Sequence, residues 1–281
     1  MGTLQRLGII IGYEWRRALA KKKILALILL AVAVQVLPFV LFTRIFPDLT
    51  EEARATMWVF GALGGQNLFI QLMAIIIAGG SLAEEYEQGT VDILLSKPVT
   101  RLEYLSGKLL GGFSLLVAVE ALMVVVGVFL GFSFFGGQRQ LEFAPLILGA
   151  IAYSSLLFFS LTFMFSELIR NSTLSMLAAI GVFIASQVLY GVLLMLYQFS
   201  IAGGQPNELY LEVGKWLPTW SASNLPIFIA SELMPMLDNP LISLVTGELG
   251  LAALAIALYT SISVLIAGVR LVKSDVTKKT G

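Results

Sequence analysis

The side chains best able to do chemistry are carboxylates. Glu84, Glu85, Glu87 and Asp92 lie in one polar stretch, residues 84–101, and Glu120 lies alone in a long apolar run. What they can do is limited by what is missing. The chain has no cysteine and no histidine. A thiolate nucleophile, a disulfide framework and a cysteine metal site are therefore excluded. The usual general base and the commonest metal ligand are absent too. A membrane protease built on the Glu84-Glu85 pair would also need histidines, so no catalytic, cofactor-binding or metal-binding residue is expected.

The elements that must position these carboxylates are membrane helices. The chain has 281 residues, 58% of them hydrophobic and 13% charged, with a mean hydropathy of +0.89. Soluble domains carry about 25% charged residues. Six apolar runs are long enough to span a bilayer: about 24–46, 57–83, 103–132, 143–165, 174–197 and 243–267. The first is too long for a signal-peptide core and is expected to be retained; Pro38 should kink it. Gly61 and Gly65 form a small-xxx-small pair, a weak signal for close helix approach. Residues 198–242 hold five prolines and read as an external cap of short helices, at about 210–216 and 227–236. The expected fold is an all-α membrane protein. It forms one domain over 1–281: an interfacial helix and boundary at 1–23, six spans over 24–267, and a tail at 268–281.

Charge distribution orients the chain. Arg6, Arg16, Arg17, Lys21, Lys22 and Lys23 precede the first span. Lys97, Arg101 and Lys108 follow the second, Arg170 follows the fourth, and Arg270, Lys273, Lys278 and Lys279 follow the sixth. These are 14 of the 18 Lys and Arg residues; the other side holds Arg44, Arg54, Arg139 and Lys215. Such an excess marks the cytoplasmic side. An even number of spans puts both termini there, in a multi-pass protein of the plasma membrane. Residues 3–20 carry Leu4, Leu7, Ile11, Trp15 and Ala18 on one helical stripe with Arg6, Tyr13, Arg16 and Arg17 opposite. A basic helix of this kind is expected to lie in the interface.

Within 84–101, Gly89 interrupts any helix continuing from the second span. Thr90 can cap a short helix whose first turn holds Asp92, where a carboxylate favours the dipole. Val91, Leu94 and Leu95 share a face, and Pro98 ends the element. A rigid cytoplasmic helix with an apolar face suits the groove of a partner. Its acidic leader would be repelled by an anionic leaflet, which favours a protein partner over lipid.

The run Glu85-x-x-x-Gly89-Thr90-x-x-x-Leu94-Leu95-Ser96-x-Pro98-Val99-Thr100-Arg101-x-x-Tyr104-x-x-x-Lys108 resembles the signature of ABC-2 type transporter permeases, the six-span membrane subunits of ATP-binding cassette exporters. The basic amino-terminal helix, the external insert before the last span and the tail with Arg270 and Asp275 are also similar. The resemblance implies an exporter permease that pairs with a second copy or a related permease and binds two separately encoded ATPase subunits. Residues 84–96 would be the coupling helix. The ATPase-coupling set is then Glu84, Glu85, Glu87, Gly89, Thr90, Asp92, Leu94, Leu95, Ser96, Pro98 and Arg101. This chain has no P-loop: Gly107-Lys108 is followed by Leu, and Gly214-Lys215 by Trp. It is therefore not expected to be an enzyme, and ATP and Mg would be bound by the partner. No nucleic-acid partner is expected.

Glu120 lies near the middle of the third span, where a lone carboxylate costs a few kcal/mol. It reads either as a substrate or proton contact or as a protonated acid hydrogen-bonded to a neighbouring helix. Gln66, Asn67 and Gln71 should face protein or water, and with Glu120 they form the candidate translocation path. A secondary transporter or a membrane scaffold is the alternative function. A secondary transporter would show internal repeats and polar broken helices; the sequence shows no repeat. The substrate is not legible.

Overall fold

The computed structural model describes residues 2–45, 49–64, 66–91, 99–234 and 248–273. Every regular element among them is helical. An amino-terminal helix, Thr3–Leu19, precedes six helices long and apolar enough to cross a membrane: Ile24–Ile45, Met57–Gln88, Arg101–Phe135, Leu141–Ile169, Ser172–Ala202 and Leu249–Lys273. All six expected spans are present. Most run several residues beyond their expected ends, because polar and amphipathic turns extend each helix past its apolar core.

The third and fourth spans form the centre. The fourth packs against the second, third, fifth and sixth, while the third packs against the amino-terminal helix and the first, second, fourth and sixth. The fourth span is the most enclosed and the fifth the most open. On the fifth, Leu177, Ile184, Val188 and Phe199 point outward, as lipid-facing positions do.

The second span is not one regular helix. Met57–Gly64 leads into a π-helical turn at Gln66–Ile70, then into Gln71–Gly79 and the short Ala83–Gln88. A π turn releases backbone groups from the usual ladder and is often found at functional positions. Gly61 is used inside the chain. A Cβ there would lie 2.5 Å from the Phe39 ring and 2.8 Å from the Gly127 Cα, so the second and third spans meet backbone to backbone and the first packs a ring against the same spot. Gln35 supports the same contact, donating to the Gly61 and Met123 carbonyls at 2.7 and 2.8 Å.

Among the described residues between the fifth and sixth spans are two helices, Leu209–Lys215 and Pro218–Leu233. The first matches its expected place, whereas the second starts nine residues earlier than expected. Pro218 occupies the first turn, where its missing N–H costs nothing. Lys215 joins this region to the start of the sixth span through Glu248, while also pairing with Glu212.

Candidate functional site: a charged junction at the basic end of the bundle

At the basic end of the bundle the amino-terminal helix lies against the third span. Gly107 and Gly111, one helical turn apart, make room for it. A Cβ on Gly107 would meet Ile10 at 2.7 Å, and one on Gly111 would meet Glu14 Cβ at 2.9 Å. Trp15 completes the seam by donating from Nε1 to Ser114 Oγ at 2.9 Å. Of the expected apolar stripe, Ala18 is buried and Leu7, Ile11 and Trp15 are half-buried, whereas Leu4 is exposed. The inner face is therefore covered largely by protein.

This seam encloses charge. Lys108, 1% exposed, donates to both Glu14 and Glu85, whose side chains are 4% and 0% exposed. Tyr104 also donates to Glu85, and the Lys108 ammonium lies 5.2 Å from the Tyr13 ring centre. Arg17 completes the cluster. It donates to Glu14 at 3.0 Å, Glu85 at 3.3 Å, and the Gly80 and Ser81 carbonyls at 2.8 and 2.9 Å. Two carboxylates thus face two cations, which satisfies the requirement that buried charges be paired. Burial disfavours the Arg17 charge, but Glu14 and Glu85 outweigh it and hold its pKa above the ordinary value. Burial and Glu85 likewise push the Tyr13 phenol up.

Four consecutive residues of Ala83–Gln88 reach separate parts of the structure. Glu84 pairs with Lys21 at the entry to the first span. Glu85 enters the Lys108–Arg17 cluster. Tyr86 donates to Glu167 at 2.7 Å, and the Arg170 guanidinium lies 4.4 Å from its ring centre. Glu87 accepts the Ser172 N–H at 3.0 Å, at the start of the fifth span. Ala83 N–H also donates to Ser166 Oγ at 2.8 Å. Glu167 also pairs with Arg170 at 3.4 Å.

Gly89 ends this short helix in the left-handed conformation, φ 66°, which glycine adopts freely. The Thr90 N–H returns to the Glu85 carbonyl at 3.0 Å. Arg101 donates to the Leu271 and Val272 carbonyls at 2.8 and 3.2 Å, satisfying the end of the sixth span. Thr100 opens the third span with a capping box closed by Glu103. Asp92, Leu94, Leu95, Ser96 and Pro98 lie outside the described residues.

The structure turns Glu85 inward, fully buried against Lys108 and Arg17. Glu14 and Lys108 were not among the candidate site residues. The signals were a single lysine a few residues inside an apolar run, which requires a carboxylate partner, and an acid three residues before Arg17. The candidate path residues lie elsewhere. Gln71 and Glu120 are both fully buried on neighbouring spans, and Gln66 and Asn67 lie on the π turn.

Comparison with known families bears on this arrangement. The sequence model of the ABC-2 family transporter proteins matches residues 9–276. The chain belongs to that family. No curated protein matches it. The match runs from the amino-terminal helix to just past the sixth span, so the charged junction and all six spans fall within the ABC-2 region. This chain is an ABC-2 family membrane protein.

Proposed function

We propose that the chain is the membrane-spanning permease subunit of an ATP-binding cassette exporter, driven by a separately encoded ATPase that docks on residues 84–96. The observation carrying this reading is the junction at Glu84–Glu87. A push on that segment reaches the amino-terminal helix and third span through Glu85, the entry of the first span through Glu84, and the fourth and fifth spans through Tyr86 and Glu87. Buried ion pairs transmit such a push because separating them leaves uncompensated charge.

The excess of Lys and Arg at this end supports a cytoplasmic placement, with both termini inside the cell and the chain in the plasma membrane. ATP and Mg are held by the ATPase, expected in two copies. The permease works with a second copy or a related permease, and the Glu120 region contributes to the path.

The test is co-purification from native membrane in mild detergent, with mass spectrometry of what remains bound. A stoichiometric P-loop ATPase is expected. An intact, monodisperse chain without one would instead favour a secondary transporter or a scaffold. Leu94→Asp with Leu95→Asp should abolish substrate-stimulated ATP hydrolysis while insertion persists, and normal coupling in that variant would overturn the docking assignment.

A further inference from the structure

Glu120 is fully enclosed, and neither of its carboxyl oxygens has a hydrogen-bond partner among the described residues. Its neighbours on the third span, Leu116, Val119, Met123 and Val124, are buried apolar groups. Ser155 of the fourth span lies beside it, but that hydroxyl donates to the Ala152 carbonyl at 3.0 Å. Gln71 on the second span is also fully buried, with both amide atoms unpartnered among the described residues.

The apolar stretches around it supply no counter-charge. Stretches 24–43, 57–83, 144–166, 172–207 and 249–269 contain no charged residue, and Glu120 is alone within 109–138. The first, second, fourth, fifth and sixth spans therefore offer it no cation along their apolar lengths. Lys108, on its own helix, is twelve residues away, about 18 Å along the axis, and is committed to Glu14 and Glu85. An ionised carboxylate in such a place is strongly disfavoured against the neutral acid.

We propose that Glu120 is a proton-binding site, occupied at neutral pH while the bundle encloses it. Opening that admits water would let the carboxyl O–H transfer its proton to that water and leave a carboxylate facing the path. Any cationic group then present would meet a fixed negative charge. This deepens the reading of Glu120 as part of the path but does not depend on an ATPase being bound.

The test is infrared spectroscopy of the purified full-length chain at pH 7. A protonated carboxylic acid gives a carbonyl stretch above the amide band, where ordinary carboxylates give none. The expected result is such a band, lost in Glu120→Gln. Absence of the band, or its persistence in Glu120→Gln, overturns the proposal. A second readout is thermal stability between pH 5.5 and 8. If the folded state binds a proton that the unfolded chain releases, stability falls as pH rises. With no histidine or cysteine in the chain, few side chains titrate in that window. The slope should flatten in Glu120→Gln, and an unchanged slope would count against the site. Failure of either measurement leaves the ATPase reading standing, because neither involves a partner.

Discussion

Lys108 and Glu85 form an ion pair sealed from solvent, at 1% and 0% exposure, between two elements 23 positions apart in the chain. Because the same ammonium also holds Glu14, one side chain fastens the amino-terminal helix to the third span and to the end of the second. Lys108→Met should leave Glu14 and Glu85 with Arg17 as their one cation among the described residues. Breaking a buried pair from one side costs about 3–5 kcal/mol. Adding Glu85→Gln to Lys108→Met should recover part of that loss, because the pair then disappears together. Thermal unfolding in detergent of the two single variants and the double variant measures this coupling. Additive losses would show that the two groups act independently.

The glycine seam gives a prediction about docking. Gly111→Val would drive a side chain into Glu14 Cβ and the Ile11 Cα, at 2.9 and 3.2 Å already for a single added carbon. The amino-terminal helix should lift away and expose the bonds after Arg16 and Arg17. The chain contains no cysteine, so a single engineered pair, Trp15→Cys with Ser114→Cys, at positions whose native side chains touch, can report on the same seam with a short thiol-to-thiol crosslinker. Crosslinking should be efficient in the native background and lost when Gly111→Val is added. Equal crosslinking in both would mean that the seam tolerates the bulk.

Arg17 should separate stability from coupling. It makes four contacts, two of them to the backbone carbonyls of Gly80 and Ser81 just before the Ala83–Gln88 helix. Charged hydrogen bonds of this kind contribute about 1.5–3 kcal/mol each when removed singly. Arg17→Gln keeps donors to the carbonyls but loses the charge facing Glu14 and Glu85. The variant should insert and remain folded at low temperature, while substrate-stimulated ATP hydrolysis by the assembled complex falls several-fold. Undiminished stimulation would show that the push on residues 84–87 does not pass through this guanidinium.

The six spans were readable because membrane helices announce themselves through run length and hydropathy, and the structure moves their ends rather than their number. Residues 84–101 were readable as a polar insertion for the same reason. The partners of its acids were not. Glu85 meets Glu14's helix only because Gly107 and Gly111 allow a close approach, and such contacts depend on the relative rotation of two helices. Nothing local in the sequence fixes that rotation. The same limit applies to Gly61. Its spacing to Gly65 marked a close helix approach without saying to which helix, and the neighbours it meets are Phe39 and Gly127 of the first and third spans. The π turn at Gln66–Ile70 has no simple sequence signature, although Gln66, Asn67 and Gln71 make this part of an apolar run unusually polar in sequence.

The Lys215 contacts supply the contrasting case. Lys215 pairs with Glu212 and Glu248, both at 2.5 Å, but those carboxylate side chains are 55% and 36% exposed. Burial tends to lower the Lys215 pKa, yet hydrogen bonds to Glu212 and Glu248 outweigh it and raise the value. A raised lysine pKa contributes stability that is fully present below the unfolded value, about 10.4, and is lost only as pH climbs through the folded value. No change from this group is expected between pH 6 and 9. Because exposed pairs are screened by solvent, Lys215→Met should cost no more than about 1 kcal/mol, well below the cost of Lys108→Met. Comparing the two unfolding midpoints under identical detergent conditions checks the ranking. A Lys215→Met loss equal to that of Lys108→Met would mean that the link from the short helices to the sixth span is as firmly held as the buried junction.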